Sequence, residues 1–94
     1  MNYSIIYHPD VKKSDLPKID ARNKSMIKRA IEERLTNNPE VYGKPLRRSL
    51  KGHWKLRVGD YRVVFKISGD DIRILAIIDR KAVYQQSEKR IKDR

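Results

Sequence analysis

His53-Trp54-Lys55-Leu56-Arg57-Val58-Gly59-Asp60-Tyr61-Arg62-Val63-Val64-Phe65-Lys66-Ile67 alternates with a period of two on either side of a glycine. Trp54, Leu56 and Val58 fall on one side of an extended chain, with His53, Lys55 and Arg57 on the other. Gly59-Asp60 interrupts the run, and glycine in the first of two turn positions suits a type II′ hairpin. Tyr61, Val63, Phe65 and Ile67 then continue one face, and Arg62, Val64 and Lys66 the other. The turn predicts the register: Val58 opposite Tyr61, Arg57 opposite Arg62, Leu56 opposite Val63, Lys55 opposite Val64 and His53 opposite Lys66. A slip of one residue would bury the arginines, so the apolar pattern specifies this pairing strongly. Ser68-Gly69-Asp70-Asp71 turns the chain again, and Ile72 to Ile78 makes a third strand in which Arg73 faces Lys66.

Outward from this meander, Tyr3-Ser4-Ile5-Ile6-Tyr7 is rich in β-formers and reads as a first strand. Pro9-Asp10 opens a short helix expected to stop at Leu16, because Pro17 disfavours helical geometry in the residue before it. Asp20 is the expected N-cap of a longer helix. Its apolar positions Ile27, Ile31 and Leu35, with Met26 and Ala30, share one face, and Asn37-Asn38-Pro39 ends it. Glu40 to Lys51 is read as a basic loop pinned by Leu46 and Leu50. A weakly amphipathic helix starts near Lys81, and the polar tail from Ser87 to Arg94 is expected to fray. The predicted fold is α+β, a single domain over residues 1–94. Two N-terminal helices pack on one face of an antiparallel β-sheet, in the order β-α-α-β-β-β with a short C-terminal helix.

Charge narrows the function. The 94 residues carry 23 Lys and Arg against 12 Asp and Glu, a formal net charge of +11. Lys44, Arg47, Arg48, Lys51, Lys55, Arg57, Arg62 and Lys66 face a single acid, Asp60, within residues 44–66, so that stretch holds +7 of the total. Such a surplus favours polyanionic partners. The absence of cysteine excludes disulfides, thiolate metal sites and cysteine nucleophiles, and two histidines, His8 and His53, are a poor basis for a zinc site. No apolar run approaches the roughly 18–20 residues of a membrane span, and Met1 to Tyr7 lacks the charged region of a signal peptide. A cytoplasmic chain without a membrane partner is expected. In the register above, Lys55, Arg57, Arg62, Lys66, Arg73 and His53 share a face, and like charges directly opposite one another oppose folding. One reading is the solvated side of a half-buried sheet. The other is a phosphate site, with arginine forks gripping non-bridging oxygens and lysines acting as point charges.

The string from Leu46 to Phe65 closely resembles the RelE branch of the RelE/ParE toxin superfamily. Its central hairpin there reads leucine-basic, then aromatic-basic-apolar-basic, then Gly-x-Tyr-Arg-apolar. Ile77-Ile78-Asp79-Arg80-Lys81-Ala82-Val83-Tyr84 resembles the family's closing segment. The resemblance implies the toxin of a type II toxin–antitoxin pair that cuts mRNA in the ribosomal A site without metal or other cofactor. Its implied partners are a cognate antitoxin, the ribosome with its rRNA, and mRNA. Carried over by position, the catalytic residues are Lys55, Arg57, Arg62, Arg80 and Tyr84, and Arg47, Arg48, Lys51, His53, Lys66 and Arg73 are the expected RNA-binding set. The 2′-hydroxyl would attack its own phosphodiester, giving a 2′,3′-cyclic phosphate and a 5′-hydroxyl.

In that chemistry Arg57 and Arg62 stabilise the charge that builds on the pentavalent phosphate. Lys55 is the better general base, and Arg80 stabilises or protonates the leaving oxygen, although arginine gives up its proton reluctantly. Tyr84 stacks on a base or orients the 2′-hydroxyl, or else simply packs at the sheet edge. Some members carry a second lysine where this chain has Arg57, which is too basic to act as a base at neutral pH. Asp79 and Gly43-Lys44-Pro45-Leu46 stand where other branches carry a histidine and a glutamate, which argues against their mechanism here. Asp79 either orients Arg80 or merely ends the strand. His53 is read as a phosphate or base contact, or as inert. Two other classes compete: a ParE-like gyrase poison on the same fold, and a nucleic-acid-binding module without toxicity.

Overall fold

The computed structural model describes residues 2–92. Strand β1 (Ser4–Tyr7) leads into two consecutive helical turns, Val11–Asp15 and Leu16–Lys18. Helix α1 (Ala21–Ala30) continues through a wider turn, Ile31–Leu35, and α2 (Pro39–Tyr42) is a single turn. Strands β2 (Lys44–Pro45), β3 (Trp54–Val58), β4 (Tyr61–Ser68) and β5 (Asp71–Asp79) follow, and the chain closes with α3 (Val83–Lys92). The sheet order is β1-β5-β4-β3-β2. The meander is antiparallel in the predicted register, with Val58 on Tyr61, Arg57 on Arg62, Leu56 on Val63, Lys55 on Val64 and Lys66 on Arg73. Gly59 has φ 59° while Asp60 does not have positive φ, which fits a type II′ turn and excludes type I′.

Several local features depart from the sequence reading. β1 joins the antiparallel meander in parallel, Ser4 to Tyr7 lying along Asp71 to Ile74, so the sheet is mixed. The chain passes through Pro17 in helical geometry, Leu16 having φ −60° and ψ −39°, and ends the turn at Lys18. Pro17 stands in the first turn of the Leu16–Lys18 segment, a position in which proline is tolerated. The basic loop of residues 40–51 contains β2, which pairs Lys44 with Lys55 and Pro45 with Trp54. Leu46 and Leu50 are buried as expected. Gly43 lets this segment cross the sheet, since a Cβ there would come within 2.6 Å of Phe65 Cζ and 2.8 Å of the Pro39 carbonyl oxygen. The tail expected to fray from Ser87 is helical to Lys92, and its last two residues lie outside the described ones.

The main core lies between the helices and one sheet face. Val11, Ile19, Ile27, Ile31 and Leu35 pack there on Leu56, Val63, Phe65, Ile72 and Ile74. Asp20 caps α1, its carboxylate accepting the Asn23 N–H at 2.9 Å. Trp54 and Phe65 stack across the strands, with ring centroids 6.4 Å apart. A second cluster occupies the opposite face: Leu46, Leu50, Val64, Leu75, Ala76, Ile78 and Val83, with Ile91 against it. The pairing shifts between Val64–Ala76 and Phe65–Ile74, so Leu75 is an extra residue in β5. This bulge lets the consecutive residues Leu75 and Ala76 both join the second cluster.

β1 stops at Tyr7, leaving the outer edge of β5 open beyond Ile74. Asp15 and Arg90 close it. The Asp15 carboxylate accepts the Ile77 N–H at 2.9 Å and hydrogen bonds from both terminal guanidinium nitrogens of Arg90 at 2.8 and 3.0 Å, while Arg90 also donates to the Leu75 carbonyl at 2.9 Å. This pair latches α3 to the sheet and to the first helical turn. The hydrogen bond to Asp15, ahead of the opposing effect of burial, holds the Arg90 pKa above its ordinary value.

Burial, and secondarily the charge of Glu32, raise the Tyr7 phenol above its ordinary 10.0. The folded state therefore holds that proton more tightly than the unfolded one, and stability is lost as pH climbs past the unfolded pKa towards the folded one. Chemical denaturation across that alkaline range should show a smaller loss in Tyr7→Phe than in the parent. Equal losses would assign the alkaline sensitivity to other groups.

Candidate RNA-binding and catalytic face

Strand alternation places the basic residues on the face opposite the main core. Three like-charged pairs stand directly across from one another: Lys44 with Lys55, Arg57 with Arg62, and Lys66 with Arg73. Lys44 counts in the basic stretch but stands outside the expected catalytic and RNA-binding sets, because β2 is too short to show a periodic pattern. The face is not the open sheet surface that alternation alone suggests. Val64, Leu75, Ala76 and Ile78 lie on it, covered by α3 and the Leu46–Leu50 segment, so the cations form a rim around a second core.

Arg57 is exposed, and Lys55 and Arg62 are partly buried. One terminal nitrogen of Arg62 donates to the carbonyls of Gly59 at 3.0 Å and Tyr61 at 2.9 Å. This folds the guanidinium against the turn and leaves its other terminal nitrogen and Nε as a fork for an oxyanion. Arg80 sits at the same end, its backbone N–H donating to the Asp60 carbonyl at 3.1 Å. Asp79 accepts the Lys81 N–H at 2.8 Å, a capping role that favours the strand-end reading over orientation of Arg80.

Tyr84 projects from the start of α3 and is 38% exposed. Its hydroxyl oxygen accepts the Arg47 backbone N–H at 3.0 Å, so the phenol is tied to the basic loop. Ser49 donates to Glu88 in the same contact between loop and helix. Arg47, Arg48 and Lys51 are exposed on this loop, and Arg48 holds φ 55°, the sole positive value outside glycine among the described residues. His53 lies just before β3, outside the paired ladder, and lines a cavity with Lys66 and Arg73. The structure thus puts Lys55, Arg57, Arg62 and Arg80 towards the hairpin end and Tyr84 over the loop. Lys66, Arg73 and His53 form a separate group further along the strands. Among the described residues no three His, Asp or Glu side chains gather to hold a metal ion, and no helix is long and apolar enough to cross a membrane.

Residues 5–84 match the sequence model of the ParE toxin of the type II toxin–antitoxin system parDE. The chain belongs to this family, within the RelE/ParE superfamily. The toxin RelE of Mycobacterium tuberculosis is 44% identical over 55 residues, a match covering 56% of this chain and 57% of that protein. The chain thus spans little more than half the length of the curated relative it matches. The crystal structure of the toxin–antitoxin complex RelBE2 from the same organism is similar at a TM-score of 0.78 and 28% identity, over 85% of this chain and 93% of that one. A variant of Escherichia coli toxin RelE in the free state shares the fold at a TM-score of 0.75 and 20% identity, covering 97% and 99% of the two chains. These relatives carry the RelE name, the branch that the hairpin motif resembles.

Proposed function

We propose that this family member is a ribosome-dependent mRNA endoribonuclease, the toxin of a type II pair neutralised by a cognate antitoxin. The observation that carries the reading is the opposed pair Arg57–Arg62 beside Lys55, cations that the fold itself gains nothing by placing together. The 2′-oxygen attacks the adjacent phosphorus as the bond from phosphorus to the 5′-oxygen breaks. Lys55 is the group that takes the 2′-hydroxyl proton, since neither arginine can. Arg57 and the open fork of Arg62 stabilise the equatorial oxygens of the pentavalent transition state. Arg80 stabilises the departing 5′-oxygen, which takes a proton from water to become the 5′-hydroxyl, and the exposed ring of Tyr84 stacks on an unstacked base.

Induction without antitoxin should arrest growth and leave translated mRNA cut, with 2′,3′-cyclic phosphate and 5′-hydroxyl ends. Rapid cutting of naked RNA at a comparable rate would remove the ribosome from the mechanism. The ParE description of the matched family favours a second reading, a gyrase poison, for which intact mRNA and double-strand DNA breaks are the expected outcome. Ribosome affinity should fall steeply with salt, because a chain of net charge +11 would release counterions from rRNA phosphates. The antitoxin would bring acidic side chains to the Lys55–Arg57–Arg62 face, which speeds association more than it tightens the complex.

A further inference from the structure

Lys66 and Arg73 oppose each other at the far end of the basic face, both exposed. They line a cavity of about 180 Å³ with His8 and His53, whose lining also includes Pro9, Ile74 and Leu75. At about 30 Å³ for each water of bulk liquid, that is room for roughly six waters, enough for a phosphate group. No acid lines it. Asp10, the nearest carboxylate to His8, stands 3.9 Å from its Nδ1 and 3.5 Å from Arg90 Nε.

Backbone hydrogen bonds fix where both histidines stand in the chain. His8 donates its N–H to the Ile74 carbonyl at 2.8 Å, so the parallel pairing of β1 delivers it to the cavity. Its Nδ1 accepts the Asp10 N–H at 3.0 Å, which leaves the ring proton on Nε2 as a donor. The His53 N–H donates to the Leu50 carbonyl and its own carbonyl accepts from Leu46, each at 2.9 Å. Lys66 lies four residues along β4 from Arg62, about 13 Å at roughly 3.3 Å per residue. An anion held here is therefore a different one from that held at Arg57 and Arg62.

We propose that the His8–His53–Lys66–Arg73 pocket binds a second, non-scissile phosphate of the RNA strand. The proposal rests on the nuclease reading above and deepens it. Arginine, lysine and histidine side chains lining one small cavity that no acid lines suit the oxygens of a phosphate, and the pocket continues the cationic rim on the same face.

The test follows the His8 and His53 imidazole signals by NMR, these being the only histidines in the chain. Inorganic phosphate and an uncleavable 2′-deoxy trinucleotide should each move both signals saturably, against chloride at matched ionic strength. Lys66→Gln and Arg73→Gln should each weaken this response about tenfold, as expected for losing one charge-assisted contact. Arg57→Thr should leave it within about twofold, since that residue lies outside the pocket. Unmoved imidazoles in millimolar phosphate would overturn the pocket even if mRNA cleavage is confirmed. Tighter binding of a glutamate-rich peptide than of the trinucleotide would overturn the RNA assignment in favour of a protein carboxylate. Saturable binding of the trinucleotide by a chain that cuts no mRNA would uphold the phosphate site and overturn the nuclease reading instead.

Discussion

The Asp15→Ala variant is expected to lose about 3 to 5 kcal/mol of folding stability, the usual result of breaking a buried ion pair from one side. Asp15 is 5% exposed, and its removal leaves the Arg90 guanidinium with only the half-exposed Asp10 carboxylate, 3.5 Å from its Nε, and the Ile77 N–H without an acceptor. In a chain of this length each kcal/mol shifts the melting temperature by roughly 4–8 °C, so thermal unfolding should fall by about 12 °C or more. Asp15→Asn keeps an acceptor oxygen for Ile77 and should lose less. The double variant Asp15→Ala/Arg90→Met removes the guanidinium charge as well but still leaves the Ile77 N–H and Leu75 carbonyl without those partners. Such groups cost about 1–3 kcal/mol each when buried, so recovery should be partial. Full recovery would reduce the latch to its charges. An unshifted single variant would mean that Asp15 does not hold α3 in solution. Any antitoxin segment that displaced α3 would also have to break this pair.

The latch was invisible in the sequence for a physical reason. Asp15 and Arg90 are 75 positions apart, and neither stands out from its polar neighbours. The central hairpin could be read because its information is local: a period of two, a glycine at the turn, and arginines that a register slip would bury. The parallel docking of β1 is set by the core that the finished sheet offers, with no turn linking it to β5. The second core was half legible. The apolar run in β5 signals a strand buried on both faces, but its cover, α3, meets the sheet through Val83 and the fully buried Ser87, with Ile91 partly buried. A serine in the middle of that stripe admits close packing while weakening the amphipathic pattern. The site divides the same way. The Lys55–Arg57–Arg62 row followed from register, whereas Lys44 opposite Lys55 and His8 beside Arg73 needed β2 and β1 placed in three dimensions.

Arg62→Thr and Arg57→Thr should each lower mRNA cleavage by about a hundredfold or more, the loss typical when one preorganised charge-stabilising group is removed. Their effects on stability should part company. Arg57 is exposed and makes no hydrogen bond or ion pair among the described residues, so its loss removes only the repulsion across from Arg62. Arg57→Thr should therefore be neutral or more stable by up to about 1 kcal/mol. Arg62 instead ties the Gly59 and Tyr61 carbonyls together. Its threonine variant gains the same relief but loses those bonds, at a net cost of up to about 1 kcal/mol. Sulfate should raise the melting temperature of the parent more than that of either variant, since an anion bound only by the folded site stabilises by mass action. Melting in matched chloride and sulfate, alongside cleavage assays on translating ribosomes, separates the alternatives. If Arg57→Thr melts several degrees lower in chloride, the arginine supports the fold. Cleavage undiminished in both variants would place transition-state stabilisation elsewhere on the rim.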